Sequence, residues 1–235
     1  MADRPVLMVT GSTRGIGRGI ASYFLEKGYY VAGCSRGASE LESDAYTHAT
    51  LDIADEDEVR VWVRGVRKKY GGIDLLVCNA GLAPAAVLMT MTPGDLLESI
   101  FRTNVNGTFF VCREVAKAMV AQRSGRIVTM SSMAAAIHEE GTAAYAASKA
   151  AIVELTKVLA KEVAPAGVTC NVIAPSMFPS EQFSALGEEV TKRALERLVV
   201  KRVLTIGEIC NVIEFLAAPE SRVITGQVIH MGLVS

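Results

Sequence analysis

Tyr145 and Lys149 stand four residues apart in Tyr145-Ala146-Ala147-Ser148-Lys149. On a helix that spacing puts both side chains on one face. A tyrosine at its reference pKa of about 10 is a poor proton-transfer group at neutral pH. An ammonium held beside it favours the phenolate and lowers that value. A phenol tuned in this way can give a proton to a carbonyl oxygen as hydride arrives at the carbon, and take it back in reverse. Tyr-x-x-x-Lys alone recurs by accident, so the pair gains meaning only from what surrounds it.

A second group lies far upstream. Thr10-Gly11-Ser12-Thr13-Arg14-Gly15-Ile16-Gly17 joins an apolar run to an amphipathic one. Glycines there allow a tight turn and let backbone N–H groups approach a pyrophosphate at a helix N-terminus. The spacing is GxxxGxG rather than GxGxxG. The next apolar run ends at Cys34-Ser35-Arg36-Gly37, where an NAD site usually has an acid for the ribose hydroxyls. No acid is present. Arg36 can neutralise a 2′-phosphate, Ser35 can donate to it and Arg14 can approach it from the loop, so NADP(H) is the expected cofactor. The competing reading of the arginines is solvated surface charge.

Such groups need a scaffold that brings strand ends together. The 235 residues are half hydrophobic and 21% charged, with a formal net charge of −1. That supplies a large core and gives no electrostatic reason to expect nucleic acid or an anionic membrane as partner. The cysteines, Cys34, Cys78, Cys112, Cys170 and Cys210, are isolated and lie in apolar runs. They are expected to be reduced and buried, without disulfides or a metal site. Val6–Val9 is too short for a secretory segment, and no apolar stretch reaches membrane-spanning length, so the expected location is cytoplasmic.

Strands are expected at Pro5–Thr10, Tyr29–Cys34, His48–Asp52, Ile73–Cys78, Arg126–Met130, Val168–Ile173 and Val223–His230. Helices are expected at Ile16–Lys27, after the acidic run Asp55-Glu56-Asp57-Glu58, from near Pro93, over Val105–Gln122, Ala144–Val163 and Ile206–Ala217. Strand–helix alternation with continuously apolar strands predicts a doubly wound α/β fold. This is a single Rossmann-type domain over residues 1–235, with a parallel sheet of about seven strands and helices on both faces. Gly37–Thr47 and Ser176–Gly187 are expected to be irregular, with a substrate loop at about 176–200.

These residues together resemble the short-chain dehydrogenase/reductase family over essentially the whole chain. The matches run in order: the Thr10–Gly17 loop, Asp52, Cys78-Asn79-Ala80-Gly81, Asn104, Ser131-Ser132, Tyr145 with Lys149, and Asn171 to Pro175. Ser132 lies 13 residues before Tyr145, as the family's catalytic serine does. The resemblance implies that Tyr145 is the general acid/base and that Ser132 polarises the substrate carbonyl. Ser131 is the adjacent alternative, one residue off the spacing and expected to point the other way. Lys149 would hold the nicotinamide ribose and lower the Tyr145 pKa, and Asn104 would anchor a water continuing the relay. Asp52 would accept from the adenine amino group with Ile53 beside it, unless it merely caps the following helix. Asn79 would brace the central strands, and Ala80-Gly81, Pro175, Ser176 and Phe178 would lie along the cofactor. Ser176 departs from the family's usual glycine, and Cys78 from its usual asparagine.

Within the family the chain looks like the 3-oxoacyl-acyl-carrier-protein reductases, on Gly125-Arg126-Ile127-Val128, Glu208-Ile209 and Ile224-Thr225-Gly226-Gln227. An NADPH-dependent ketone reductase acting on a 3-oxoacyl thioester is therefore expected, a free small-molecule ketone being the alternative. A non-catalytic NADP-binding sensor would lack the Tyr145/Lys149 pair, and an extended epimerase would need a larger C-terminal region. An acidic carrier protein should need basic residues near the entrance, where Arg123 is expected, with Arg126 as support. The second usual basic position holds Ala166. Met177 to Phe183 forms a bulky segment in which Phe178 and Phe183 shape a pocket or pack a lid. A homotetramer is expected, partly by resemblance and partly because Ala146, Ala147, Ala150, Ala151 and Val153 make more apolar surface than one core-facing stripe requires.

Overall fold

The computed structural model describes residues 4–179, 195, 196 and 198–232. Its strands are β1 (Val6–Thr10), β2 (Tyr30–Ser35), β3 (Tyr46–Thr50), β4 (Leu75–Cys78), β5 (Gly125–Met130), β6 (Val168–Pro175) and β7 (Val228–Met231). The helices are α1 (Gly15–Glu26), α2 (Glu56–Tyr70), α3 (Gly94–Phe101), α4 (Thr108–Gln122), α5 (Ala134–Ile137), α6 (Ala143–Val163) and α7 (Ile206–Ala217).

The sheet is parallel, in the order β3-β2-β1-β4-β5-β6-β7. The order reverses between β1 and β4, which opens a crevice beyond their C-terminal ends. Alternate residues of each strand feed two cores. Met8, Leu76 and Ile127 pack with Val59, Trp62 and Val63 of α2 and Val111 and Val115 of α4. Leu7, Val9 and Val77 pack with Ile20 and Phe24 of α1 and Ile213 and Leu216 of α7. Phe24 has no exposed surface, and its truncation to alanine would cost about 3–5 kcal/mol. Helices on both faces explain why β1, β4 and β6 are buried along their length.

The local signals act as their chemistry requires. Asp55 caps α2 by accepting from the N–H groups of Asp57 and Glu58, and Gly71 ends that helix in the left-handed region. Thr205 and Glu208 form a reciprocal capping box at the start of α7.

Four elements differ from expectation. β3 begins at Tyr46, because that ring is buried and in register with Val31. The helix expected from Val105 is continuous with α3 through a π-turn, Arg102–Gly107. β7 begins only at Val228; the preceding residues are fixed instead by Asn171, which donates to the Ile224 carbonyl and accepts from the Gln227 N–H. Helix α5 is one short turn that the periodicity did not announce. All five cysteines are buried and free. Among the described residues no helix is long and apolar enough to cross a membrane.

Candidate active site

The catalytic candidates meet beyond the C-terminal ends of β4 and β5. Ser131 and Ser132 leave β5 in opposite directions. Ser131 is buried and donates to the Lys149 backbone carbonyl at 2.9 Å, tying the strand end to α6. Ser132 turns towards Tyr145. Its Oγ accepts from the Ala134 N–H at 3.2 Å, and its side chain is near enough to the Tyr145 phenol to favour the ionised form. Ser132 is therefore the member of the pair that accompanies Tyr145.

Helix α6 buries Ser148, Lys149, Ile152, Thr156, Ala160 and Val163 at helical spacing. Lys149 Nζ stands 5.8 Å from the Tyr145 ring centroid. It does not act on the phenol as expected. Nζ donates to the Met130 carbonyl at 2.8 Å, and burial pushes its pKa down to about 8, with Cys78 opposing that shift. Burial of the Tyr145 hydroxyl raises its pKa, and the Ser132 side chain only partly offsets this. The expected lowering of Tyr145 by Lys149 is not seen: desolvation is the largest cause for both groups, and neither shift has the other group among its causes.

Asn104 is fully buried in the π-turn. Its Oδ1 accepts from the Leu82 N–H at 2.7 Å, and its Nδ2 donates to the Leu82 carbonyl and to Ser148 Oγ, both at 3.0 Å. Both amide N–H groups are engaged, so the side chain joins the Gly81-Leu82 segment to α6 and holds no water through its donors. A Cβ on Gly81 would lie 3.2 Å from Asn104 Oδ1 and 3.4 Å from Lys149 Nζ, so these three groups adjoin.

The glycine-rich loop follows β1. Gly17 packs so closely that a Cβ would strike the Gly11 carbonyl oxygen and the Asn79 amide. Gly15 and Ile16 begin α1, Ile16 being half-buried against the core. Arg14 lies at the N-cap of α1 but provides no side-chain cap, and the first turn has no acid. A helix start of this kind suits an anion. The Ser12 hydroxyl turns inward to Tyr46 at 3.0 Å, and its N–H donates to the Cys34 carbonyl at 3.2 Å. Thr13 is half-buried. Asn79 donates to the Thr10 carbonyl at 3.1 Å, and the N–H groups of Asn79 and Ala80 both donate to Thr10 Oγ1 at 3.0 Å, bracing β1 against β4.

At the end of β2, Arg36 is exposed, and Ser35 Oγ donates to the Gly37 carbonyl at 3.0 Å. Asp52 accepts from the Ala54 N–H at 3.0 Å and forms an ion pair with Arg102, also at 3.0 Å. Ile53 is buried against Gly107 of the π-turn. Pro175 accepts from the Met133 N–H. Ser176 is buried beside Gly232, and its Oγ has no hydrogen-bond partner among the described residues. Phe178 is half-buried and packs on the core between α1 and α7. Ser180 to Phe183, and most of the expected substrate loop, lie outside the described residues.

The cradle, the uncapped helix start and the acid-free β2 end fit a phosphorylated dinucleotide. Beside Tyr145 is a small cavity bordered by Val87, Leu96, Ile100 and Thr142, next to an open apolar cleft of about 510 Å³. Arg123 does not stand at the entrance expected of it. It follows α4 and precedes β5, at the opposite end of that strand from Ser132. It touches Gly167, so it and Ala166 share one surface, but not the entrance of their own cleft. Tyr46, His48, Arg102 and Ser148 were missed. The one available signal was the alternation of Tyr46 and His48 along a strand.

The family model described as enoyl-(acyl carrier protein) reductase matches residues 11–232. A 3-oxoacyl-[acyl-carrier-protein] reductase FabG of Staphylococcus aureus (strain Mu50) is 34% identical, over 95% of each chain. The FabG of Vibrio cholerae serotype O1 is 32% identical, over 96% of this chain and 95% of its own. The solved structure of ElxO with NADP bound is 27% identical and covers 97% of this chain and 96% of its own, at a TM-score of 0.90. A tyrosine-to-phenylalanine variant of ElxO with NADPH bound gives the same values.

Proposed function

The chain belongs to the short-chain dehydrogenase/reductase family, and from that membership we propose that it uses NADPH to reduce the ketone of a 3-oxoacyl thioester to a secondary alcohol. The observation that carries this reading is the placing of Ser132 where it holds down the Tyr145 pKa, with buried Lys149 Nζ 5.8 Å from the Tyr145 ring. Two hydroxyls so placed can both reach a single carbonyl oxygen.

NADPH, when bound, would supply the hydride. Gly11 to Gly17 and the start of α1 would hold its pyrophosphate, and Arg14 and Arg36 its 2′-phosphate. Ser132 donates a hydrogen bond to the carbonyl oxygen and stabilises the charge that develops there. Tyr145 stays protonated at neutral pH because burial raises its pKa, and it delivers its proton to that oxygen. Lys149, fixed by the Met130 carbonyl next to Gly81, would hold the ribose.

The relatives named as 3-oxoacyl-acyl-carrier-protein reductases support a thioester substrate. Delivery by an acidic carrier protein would use Arg123 only for a neighbouring copy, since Arg123 is remote from its own cleft. A neighbouring copy of the chain is thus part of this reading, within the homotetramer that the family resemblance implies. Exposed Phe109 and Val120 on α4 and Val158 on α6 supply apolar surface for it.

The test follows NADPH oxidation with N-acetylcysteamine thioesters of a 3-oxo acid and of a 2-enoic acid, and with simple ketones. Consumption of the 3-oxo thioester is expected. Consumption of the enoyl thioester alone would overturn carbonyl reduction, and consumption of simple ketones alone would replace the thioester by a free substrate.

A further inference from the structure

A chain of hydrogen bonds at the adenosine end plays no part in hydride transfer. Ser12 Oγ meets the Tyr46 hydroxyl at 3.0 Å, and that hydroxyl meets His48 Nδ1 at 3.0 Å. His48 Nε2 lies 2.9 Å from the Gly37 carbonyl oxygen and 3.3 Å from Ser35 Oγ. Tyr46 and His48 are two residues apart on β3 and so share one sheet face. Gly33 is in register with His48, and a Cβ on it would collide with Ser12 Oγ and the Tyr46 hydroxyl. The missing side chain is what makes room for the network.

The donors can be assigned by inventory. A carbonyl oxygen only accepts, so His48 Nε2 carries a proton. In the neutral ring Nδ1 then accepts from Tyr46, whose oxygen accepts from Ser12. Ser35 has one hydroxyl proton, and it too is given to the Gly37 carbonyl. That carbonyl therefore holds two donors, one of them dispensable. A phosphate monoester offers acceptors and needs donors.

We propose that His48 is a positioning residue for recognition of the cofactor's 2′-phosphate. By keeping the Gly37 carbonyl satisfied, it frees the Ser35 hydroxyl to turn to the phosphate beside Arg36. The inference rests on the NADPH reading above.

The experiment measures dissociation constants of NADPH and NADH for the wild type, His48→Phe, Ser35→Ala and the double variant. Each single substitution should weaken NADPH about tenfold and NADH by less than about twofold. The double variant should bind NADPH no worse than Ser35→Ala, because His48 acts through Ser35. His48→Gln, with an amide N–H able to reach Gly37, should recover most of the loss. Equal weakening of both cofactors, or additive losses in the double variant, would overturn the proposal. If His48→Phe fails to fold, the smaller His48→Leu is read in the same way. A wild type that binds both cofactors equally would remove the NADPH reading and this inference with it.

Discussion

The two ends of the cofactor crevice are built on opposite plans. At the catalytic end Ser131, Lys149, Asn104 and Ser148 are buried and bonded to one another's helix or strand. At the adenosine end Arg14 and Arg36 are exposed, and the turn that carries Arg36 is held from β3 by His48. Proton and hydride transfer need atoms fixed within fractions of an ångström in a low-dielectric setting. Recognition of a phosphate tolerates looser geometry and draws on charge that water screens. On the proposed reading, buried groups would serve the chemistry and exposed ones the choice of cofactor.

This contrast can be broken at several points. Ser132→Ala should lower kcat about 10²–10³-fold with little change in thermal stability, since its hydroxyl turns towards Tyr145. Ser131→Ala should do the reverse, costing about 1–2 kcal/mol by stripping a donor from a buried carbonyl. Parallel kinetics and melting curves on both variants check the pair; similar profiles would erase the distinction between the serines.

At the adenosine end, Arg36→Asp should lower the NADPH-to-NADH preference by at least about tenfold, replacing attraction with repulsion at an exposed site. Cofactor titrations at two salt concentrations check this, because the effect should shrink as salt rises.

Lys149→Met sharpens the catalytic side. With a folded pKa of about 8 against 10.5, the unfolded chain binds more protons in that interval, so stability without cofactor should rise with pH there. At neutral pH the charged lysine is a burden. Its removal should stabilise the protein by about 1 kcal/mol, after loss of the Met130 bond, while turnover collapses. Thermal melts across the interval should show the pH slope vanish in the variant.

The smallest effect belongs to the remote edge. Arg123→Glu should raise KM for a carrier-linked 3-oxoacyl substrate by about threefold to tenfold at low salt and leave an N-acetylcysteamine thioester unaffected. Equal behaviour of the two substrates in steady-state kinetics would remove the carrier from the proposal.

What the sequence disclosed follows from range. Tyr145 and Lys149 share a helix, and the two serines leave β5 in opposite directions, as spacing within one helix or strand dictates. Spacing gives a face, however, and not the destination of a flexible side chain, so Lys149 Nζ was assigned to Tyr145 when it reaches the Met130 carbonyl. The π-turn escaped notice because one extra residue barely disturbs a hydrophobic period. His48 escaped because its partners Ser35 and Gly37 lie on a separate segment, at and beyond the end of β2. Arg123 was set at the entrance because order along the chain does not reveal which edge of the sheet a loop occupies.

The central claim is that Tyr145 supplies the proton while other groups hold the cofactor. It is tested most directly by measuring single-turnover reduction of a 3-oxoacyl thioester and NADPH affinity together, in wild type and Tyr145→Phe. The account predicts a rate loss of about 10³-fold or more with the NADPH dissociation constant changed by less than about twofold. Retention of a tenth of the wild-type rate, or an equal collapse of cofactor binding, would contradict it.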